Sequence, residues 1–226
     1  MRQAEQCNVS GTNFVPTKFK IMKRIILTLA LCFAAAATLR AQTTTIANLE
    51  SSIDRESTAI SKYKAYSDKA SAEGQYAVAA LFAAASHAAS VHADRMTAVL
   101  TDLGVKDYKA AIGRFEAGTT AKNLQEAIDS ETNASTNVYP GFMNKADAEK
   151  ISAASQAFYF ATNSDLKHVI IYKDVLSKSD KPETITKTFY VCPKCGNIFA
   201  GSRDTFCSVC GHPFWGCAKF QAQKPS

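Results

Sequence analysis

Between about residues 43 and 178, apolar positions recur every three or four residues on an alanine-rich background, the pattern of amphipathic helices rather than strands. The spacing predicts helix A over about 46–71, a turn at Ala72-Glu73-Gly74, helix B over about 75–102 and a longer connection at 103–119. Helix C follows over about 121–144 and helix D over about 146–177. Thr120 suits the N-cap of helix C, and Tyr139-Pro140-Gly141 predicts a kink toward its end. Leu81, Phe82, Met96 and Leu100 share one stripe of helix B and read as core. Long helices joined by a tight turn, a long connection and another tight turn make an all-α antiparallel four-helix bundle with a crossover.

The pattern changes at both ends. From Met22 the chain reads Met-Lys-Arg, then an almost wholly apolar run from Ile25 to Ala37, then Thr-Leu-Arg-Ala-Gln. A charged start, a greasy middle and a small-residue finish make a secretory signal, and the run is too short to span a bilayer. Cleavage is expected after Ala41, with Ala37 as the second choice, and either site removes Cys32. Leu31 is too large to precede a lipoprotein cysteine. Export to the periplasm or the exterior is therefore expected, and residues 1–21 read as an upstream extension. At the other end, Ser179 to Lys187 contains Pro182 and few apolar residues. The organisation is an extension and signal over 1–41, a helical unit over 42–178, a linker over 179–188 and a small unit over 189–222. The last is too short to bury a core alone.

Composition confirms a globular class, with 46% hydrophobic and 20% charged residues among 226. The formal charge of +6 first suggests a polyanionic partner. That excess sits in the leader: residues 1–41 hold six Lys and Arg against one acid, and residues 42–226 hold twenty against nineteen. No basic footprint for DNA or RNA remains after cleavage, and no nucleic-acid partner is expected.

The C-terminal unit carries the most specific motif. Cys192-Pro-Lys-Cys195-Gly and Cys207-Ser-Val-Cys210-Gly place two C-x-x-C-G turns eleven residues apart, the spacing at which two knuckles offer four thiolates to one tetrahedral ion. Glycine after the second cysteine lets the backbone turn its N–H groups toward sulfur. Phe189, Tyr190, Phe199, Phe206, Phe214 and Trp215 supply a dry shell but not a core, so metal binding must contribute to folding. Two disulfides are the competing reading in an oxidising compartment, but a ring closed across two residues is strained. His212 and Cys217 lie outside the knuckles and read as packing residues. Spacing alone leaves iron and zinc both open.

Helix bundles hold metals with side chains at i and i+3, which share a face and point together into the core. Helix A offers Glu56, helix B His92, helix C Glu131, and helix D Asp165 with His168 one turn on. Glu56-Ser-Thr-Ala-Ile-Ser-Lys-Tyr63, Glu73-Gly-Gln, Thr120-Ala-Lys-Asn-Leu124, Glu131 with Tyr139-Pro140, His168 with Tyr172 and the paired C-x-x-C-G together resemble the rubrerythrins over nearly all of residues 43–220. The resemblance implies a ferritin-like bundle followed by a small rubredoxin-like β-hairpin domain. It further implies an Fe(Cys)4 centre on Cys192, Cys195, Cys207 and Cys210 that relays electrons to two bundle irons, which reduce hydrogen peroxide. Family members are dimers, so a homodimer is expected; they are cytoplasmic, so the leader is a departure that leaves the electron donor unknown. Tyr63 and Tyr139 are the candidate hydrogen-bond partners of the ligands.

The ligand set departs further. The family's helix-B Glu falls on Ala89, its second helix-C Glu on Ala134, and its helix-D Glu is shortened to Asp165. Helix B has no acid between Glu73 and Asp94, so no shift of register restores the loss. Three carboxylates and two imidazoles remain for six positive charges of a diferric pair, which they neutralise poorly in a low-dielectric core. Two bundle irons, one, or none all remain open. The expected function is electron transfer by a non-haem iron protein, with peroxide reduction at the bundle; the alternatives are a one-electron carrier with a metal-free scaffold and a structural zinc ribbon.

Overall fold

The computed structural model describes residues 17–201 and 205–224, with side chains from residue 44 onward. The leader expected over residues 1–41, with cleavage at Ala41, lies outside the residues whose side chains are described. Residues 41–226 form one compact unit that contains both candidate sites.

Among the described residues the α-helices are α1 (Thr17–Ala72), α2 (Tyr76–Asp102), α3 (Thr120–Asn133), α4 (Tyr139–Ala148) and α5 (Ser152–Ser177). Local chemistry sets their ends. Gly74, at φ +75, turns the chain out of α1 while Gln75 N–H reaches Ala70 O at 2.8 Å. Thr119, not Thr120, caps α3: its hydroxyl accepts Lys122 N–H, and Glu73 accepts Thr120 N–H at 3.0 Å. The connection 103–119 is fastened along α1. Tyr108 hydroxyl and Ala111 N–H donate to Asp54 Oδ1 at 2.9 and 2.8 Å, and Gly113 N–H to Thr58 Oγ1 at 2.9 Å.

The predicted helix C is two helices joined by a π-helical turn, Ala134–Val138. It runs on to Ala148 rather than ending near 144, and α5 starts at Ser152 rather than 146. Pro140 lies in the first turn of α4, where its missing N–H costs no helical bond, so it does not end the element.

Two apolar clusters fill the bundle. One gathers Tyr63, Tyr66, Phe82, Leu124 and Tyr172; the other gathers Leu49, Ile53, Met96, Leu100, Tyr139 and Phe158. On each helix the buried polar residues fall at the seam between them: Glu56 after Ile53, His92 before Met96, Glu131 after Ile128, and Asp165 and His168 before Tyr172.

The C-terminal unit is a three-stranded antiparallel sheet in the order β2-β1-β3, with β1 Thr188–Val191, β2 Ile198–Ala200 and β3 Ala218–Gln221. Tyr190 pairs with Phe199 on one side and Lys219 on the other. Phe189, Val191 and Ile198 are buried in the first bundle cluster, each contributing roughly 1.5–3 kcal/mol of apolar transfer. Ile185 joins them at 3% exposure, so the segment expected as a linker is packed, with a 3₁₀ turn at Pro182–Thr184.

Candidate metal centres

The two predicted knuckles form with matching hydrogen bonds. In the first, Gly196 N–H donates to Cys192 O at 2.9 Å and Cys192 N–H to Asn197 O at 2.9 Å; in the second, Gly211 N–H donates to Cys207 O at 2.8 Å and Cys207 N–H to His212 O at 2.7 Å. Both glycines take positive φ, +76 and +68, as the tight return requires. The four sulfurs converge, with Cys192 Sγ 3.5 Å from Cys210 Sγ and Cys195 Sγ 3.5 Å from Cys207 Sγ. All lie within 4.8 Å of one another. Metal–sulfur bonds of about 2.3 Å in a tetrahedron give edges of about 3.8 Å, so the cage is of the right size for one ion. The described cysteines are free thiols, which removes the paired-disulfide reading for them. Tyr190 and Phe199 pack edge-on against Phe214, and Phe160 of α5 closes the shell. Cys217 is half-buried in that shell, and His212 lies near Trp215.

In the bundle, Glu56, His92, Glu131, Asp165 and His168 come together, each 5% exposed or less. Their orientation follows one rule: one face of each side chain is held by the protein and the other is turned inward. Glu131 Oε1 accepts from Tyr63 at 2.7 Å and Tyr172 at 2.9 Å, and Tyr139 donates to Glu56 Oε1. The inward oxygens face imidazoles, with Glu56 Oε2 3.5 Å from His92 Nδ1 and Glu131 Oε2 3.2 Å from His168 Nδ1. Asp165 Oδ1 stands 3.8 Å from both Nδ1 atoms.

Electrostatics show what this arrangement lacks. Burial, reinforced by the charges of Glu131 and Glu56, pushes Asp165 well above the ordinary carboxyl range, against the pull of Arg55. Burial would raise Glu56 too, but the bond and charge of His92, with Arg55 and Tyr139, hold it low. His92 would be lowered by burial and is instead raised by Glu56. Glu131 Oε2 is buried and makes no hydrogen bond. An orphaned carboxylate oxygen within 4.8 Å of an imidazole nitrogen and a second carboxylate is a donor set for a cation, and these residues fit a non-haem metal.

The two centres are joined directly. His92 Nε2 donates to Cys195 O at 2.9 Å, and Ser164 Oγ donates to the same carbonyl at 2.7 Å. His168 Nε2 lies 3.1 Å from Gly196 O and 3.2 Å from Ile198 N. A carbonyl only accepts, so the proton on His92 is on Nε2, and the Nδ1 lone pair of the neutral ring faces the carboxylates. Arg95 adds two bonds to Lys194 O, at 3.1 and 2.7 Å.

All nine predicted ligand residues thus fall into the two expected groups. Ala89 and Ala134 are buried with no carboxylate in their place. Sequence reasoning missed Ser164, Arg55 and the hydrogen bond of Tyr172; adjacency to Asp165 and Glu56 was the available signal for the first two. His87 packs its ring on Phe220, 5.5 Å away, and takes no part.

Comparison with known proteins agrees with this geometry. A family model described as Rubrerythrin matches residues 47–176. The chain is 28% identical to nigerythrin of Nitratidesulfovibrio vulgaris over 169 residues, covering 75% of this chain and 83% of that protein. It is 29% identical to rubrerythrin-1 of Clostridium acetobutylicum over 179 residues, covering 76% and 91%. Among solved structures, fully reduced, all-ferrous nigerythrin superposes with a TM-score of 0.74 at 27% identity, over 78% of this chain and 86% of that one. The mixed-valence state of nigerythrin gives 0.73 over the same shares.

Proposed function

The chain belongs to the rubrerythrin family of non-haem iron proteins, and from that premise we propose that it is an exported electron-transfer protein that reduces hydrogen peroxide in defence against oxidative stress. Iron, when bound, supplies reducing electrons at both centres and Lewis acidity toward peroxide in the bundle. Cys192, Cys195, Cys207 and Cys210 hold the sulfur-ligated ion, and Glu56, His92, Glu131, Asp165 and His168 present the oxygen and nitrogen donors. Tyr63, Tyr139 and Tyr172 orient the glutamates so that one oxygen of each faces inward. The surrounding apolar clusters exclude bulk water.

One observation carries the reading. Cys195 contributes its Sγ to the tetrathiolate cage and its carbonyl to the His92 imidazole, whose other nitrogen faces the bundle carboxylates. A single residue and a single hydrogen bond therefore connect the two metal sites, the short covalent route that electron transfer favours.

Export rests on the signal pattern from Met22 to Ala41, and a homodimer belongs to the same proposal. A redox partner in the receiving compartment must return the electrons. The test is metal analysis, a visible spectrum and peroxide turnover on mature protein purified from its native compartment, since overexpression misloads thiolate sites. Iron at both centres with turnover supports the proposal. Sulfur-ligated iron without turnover leaves a one-electron carrier, and one zinc per colourless chain overturns the redox reading.

A further inference from the structure

The bundle site has five side chains where a pair of ions would need more. Glu131 Oε1 has both lone pairs taken by Tyr63 and Tyr172, which leaves Oε2 as its one free donor. Glu56 Oε1 is held by Tyr139, and each imidazole offers only Nδ1, because Nε2 faces the Cys195 or Gly196 carbonyl. Asp165 stands midway, 3.8 Å from both Nδ1 atoms. The donors thus number about one per side chain. They complete a single coordination sphere and would leave each of two ions with fewer than three. The cavity they enclose, about 10 Å³, is the space of one water-sized sphere.

Charge points the same way. Arg55 lines this cavity beside Glu56. Its Nη2 donates to Ser130 O at 2.8 Å, its Nε is buried without a partner, and among the described residues it forms no ion pair. Three carboxylates and one fixed guanidinium leave two negative charges, the complement of one divalent ion.

We propose that the bundle of this chain holds a single first-row divalent ion, ferrous iron, on Glu56, His92, Glu131, Asp165 and His168, with the Arg55 guanidinium supplying positive charge that a second ion would otherwise bring. The inference rests on the reading that the bundle binds iron. It changes the electron count. Hydrogen peroxide takes two electrons and two protons to give two waters, and one electron from each ferrous centre of the chain, bundle and tetrathiolate, balances the reaction. A fully reduced chain is therefore oxidised completely by about one equivalent of peroxide, whereas a three-iron chain consumes one and a half.

The full-length mature protein is loaded with ferrous iron and its metal counted, with Mössbauer spectroscopy separating sulfur-ligated from oxygen- and nitrogen-ligated iron. The expected result is one magnetically isolated oxygen- and nitrogen-ligated iron for each sulfur-ligated iron. Two coupled ions in the bundle overturn the inference and leave the peroxidase reading standing; a filled tetrathiolate with an empty bundle overturns both. In Arg55→Gln the bundle ion should resist a competing chelator about tenfold better, because a like charge has been removed, while Arg55→Lys behaves as the parent. Unchanged or weaker retention in Arg55→Gln overturns the role given to the guanidinium.

Discussion

Gly196 stands so close to His92 that a Cβ placed on it would lie 2.5 Å from the imidazole Nε2 and 3.0 Å from Ala88 O. The first knuckle can seat on the bundle only because this residue has no side chain, and its φ of +76 makes the same demand. Gly211, at the equivalent place in the second knuckle, also has positive φ but nothing within 4 Å. Gly196→Ala should therefore cost about 2–4 kcal/mol and perturb the visible spectrum, whereas Gly211→Ala should cost only the backbone term of about 1–2 kcal/mol. Denaturant unfolding of the two variants side by side checks this; equal losses would show that the contact with His92 is unimportant.

Metal removal should separate the two units by their dependence on it. Chelation at the tetrathiolate takes away the bonds that organise residues 192–210, and the aromatic shell around them is too small to persist alone. Limited proteolysis should then cut within this segment while helical circular dichroism stays near that of the loaded protein. An unchanged cleavage pattern would count against metal-dependent folding.

His168→Ala removes one donor of the bundle site and leaves the sulfurs in place. Oxygen- and nitrogen-ligated iron should fall while sulfur-ligated iron stays near one per chain, as read by metal analysis. Ala157→Gly, remote in the second apolar cluster, serves as the control for general destabilisation, at about 1 kcal/mol. A bundle iron content unmoved by His168→Ala would remove that residue from the ligand set.

Without metal the bundle should prefer mildly acidic solution. Asp165, raised from its ordinary 3.8, destabilises the fold increasingly as pH climbs through its folded value. The stabilisation from His92, raised from 6.5, is complete below that pH and lost above its folded value. Glu56, lowered from 4.5, stabilises above that pH and loses its effect as pH falls through its folded value. Metal binding needs all three groups unprotonated. The rise in Tm on adding ferrous iron should therefore grow between about pH 5 and pH 8. A gain independent of pH would contradict this account.

The tetrathiolate was legible in the sequence because its four ligands sit in two short turns whose spacing nearly determines the geometry. The bundle ligands were legible by helical period and family register. The π-helical turn at Ala134–Val138 was not, since Ala-Ser-Thr-Asn-Val fits an ordinary helix and only the packing of Tyr139 toward Glu56 distinguishes it. Nor was the seating of Cys195 on His92, a contact between residues 103 apart that no local pattern encodes. Arg55 looked like a solvent-facing neighbour of Glu56, and its place in the cavity depends on how α1 is rotated against α3.

Phe189, Val191 and Ile198 reach down from the sheet into the same apolar cluster as Phe82 and Tyr172. The cysteine-bearing end is consequently no detachable cartridge. Severing the chain after Lys178 would strip a greasy lid from the helices, so a shortened gene product should clump rather than survive as a tidy half, and the electron relay has been inherited together with the roof it forms.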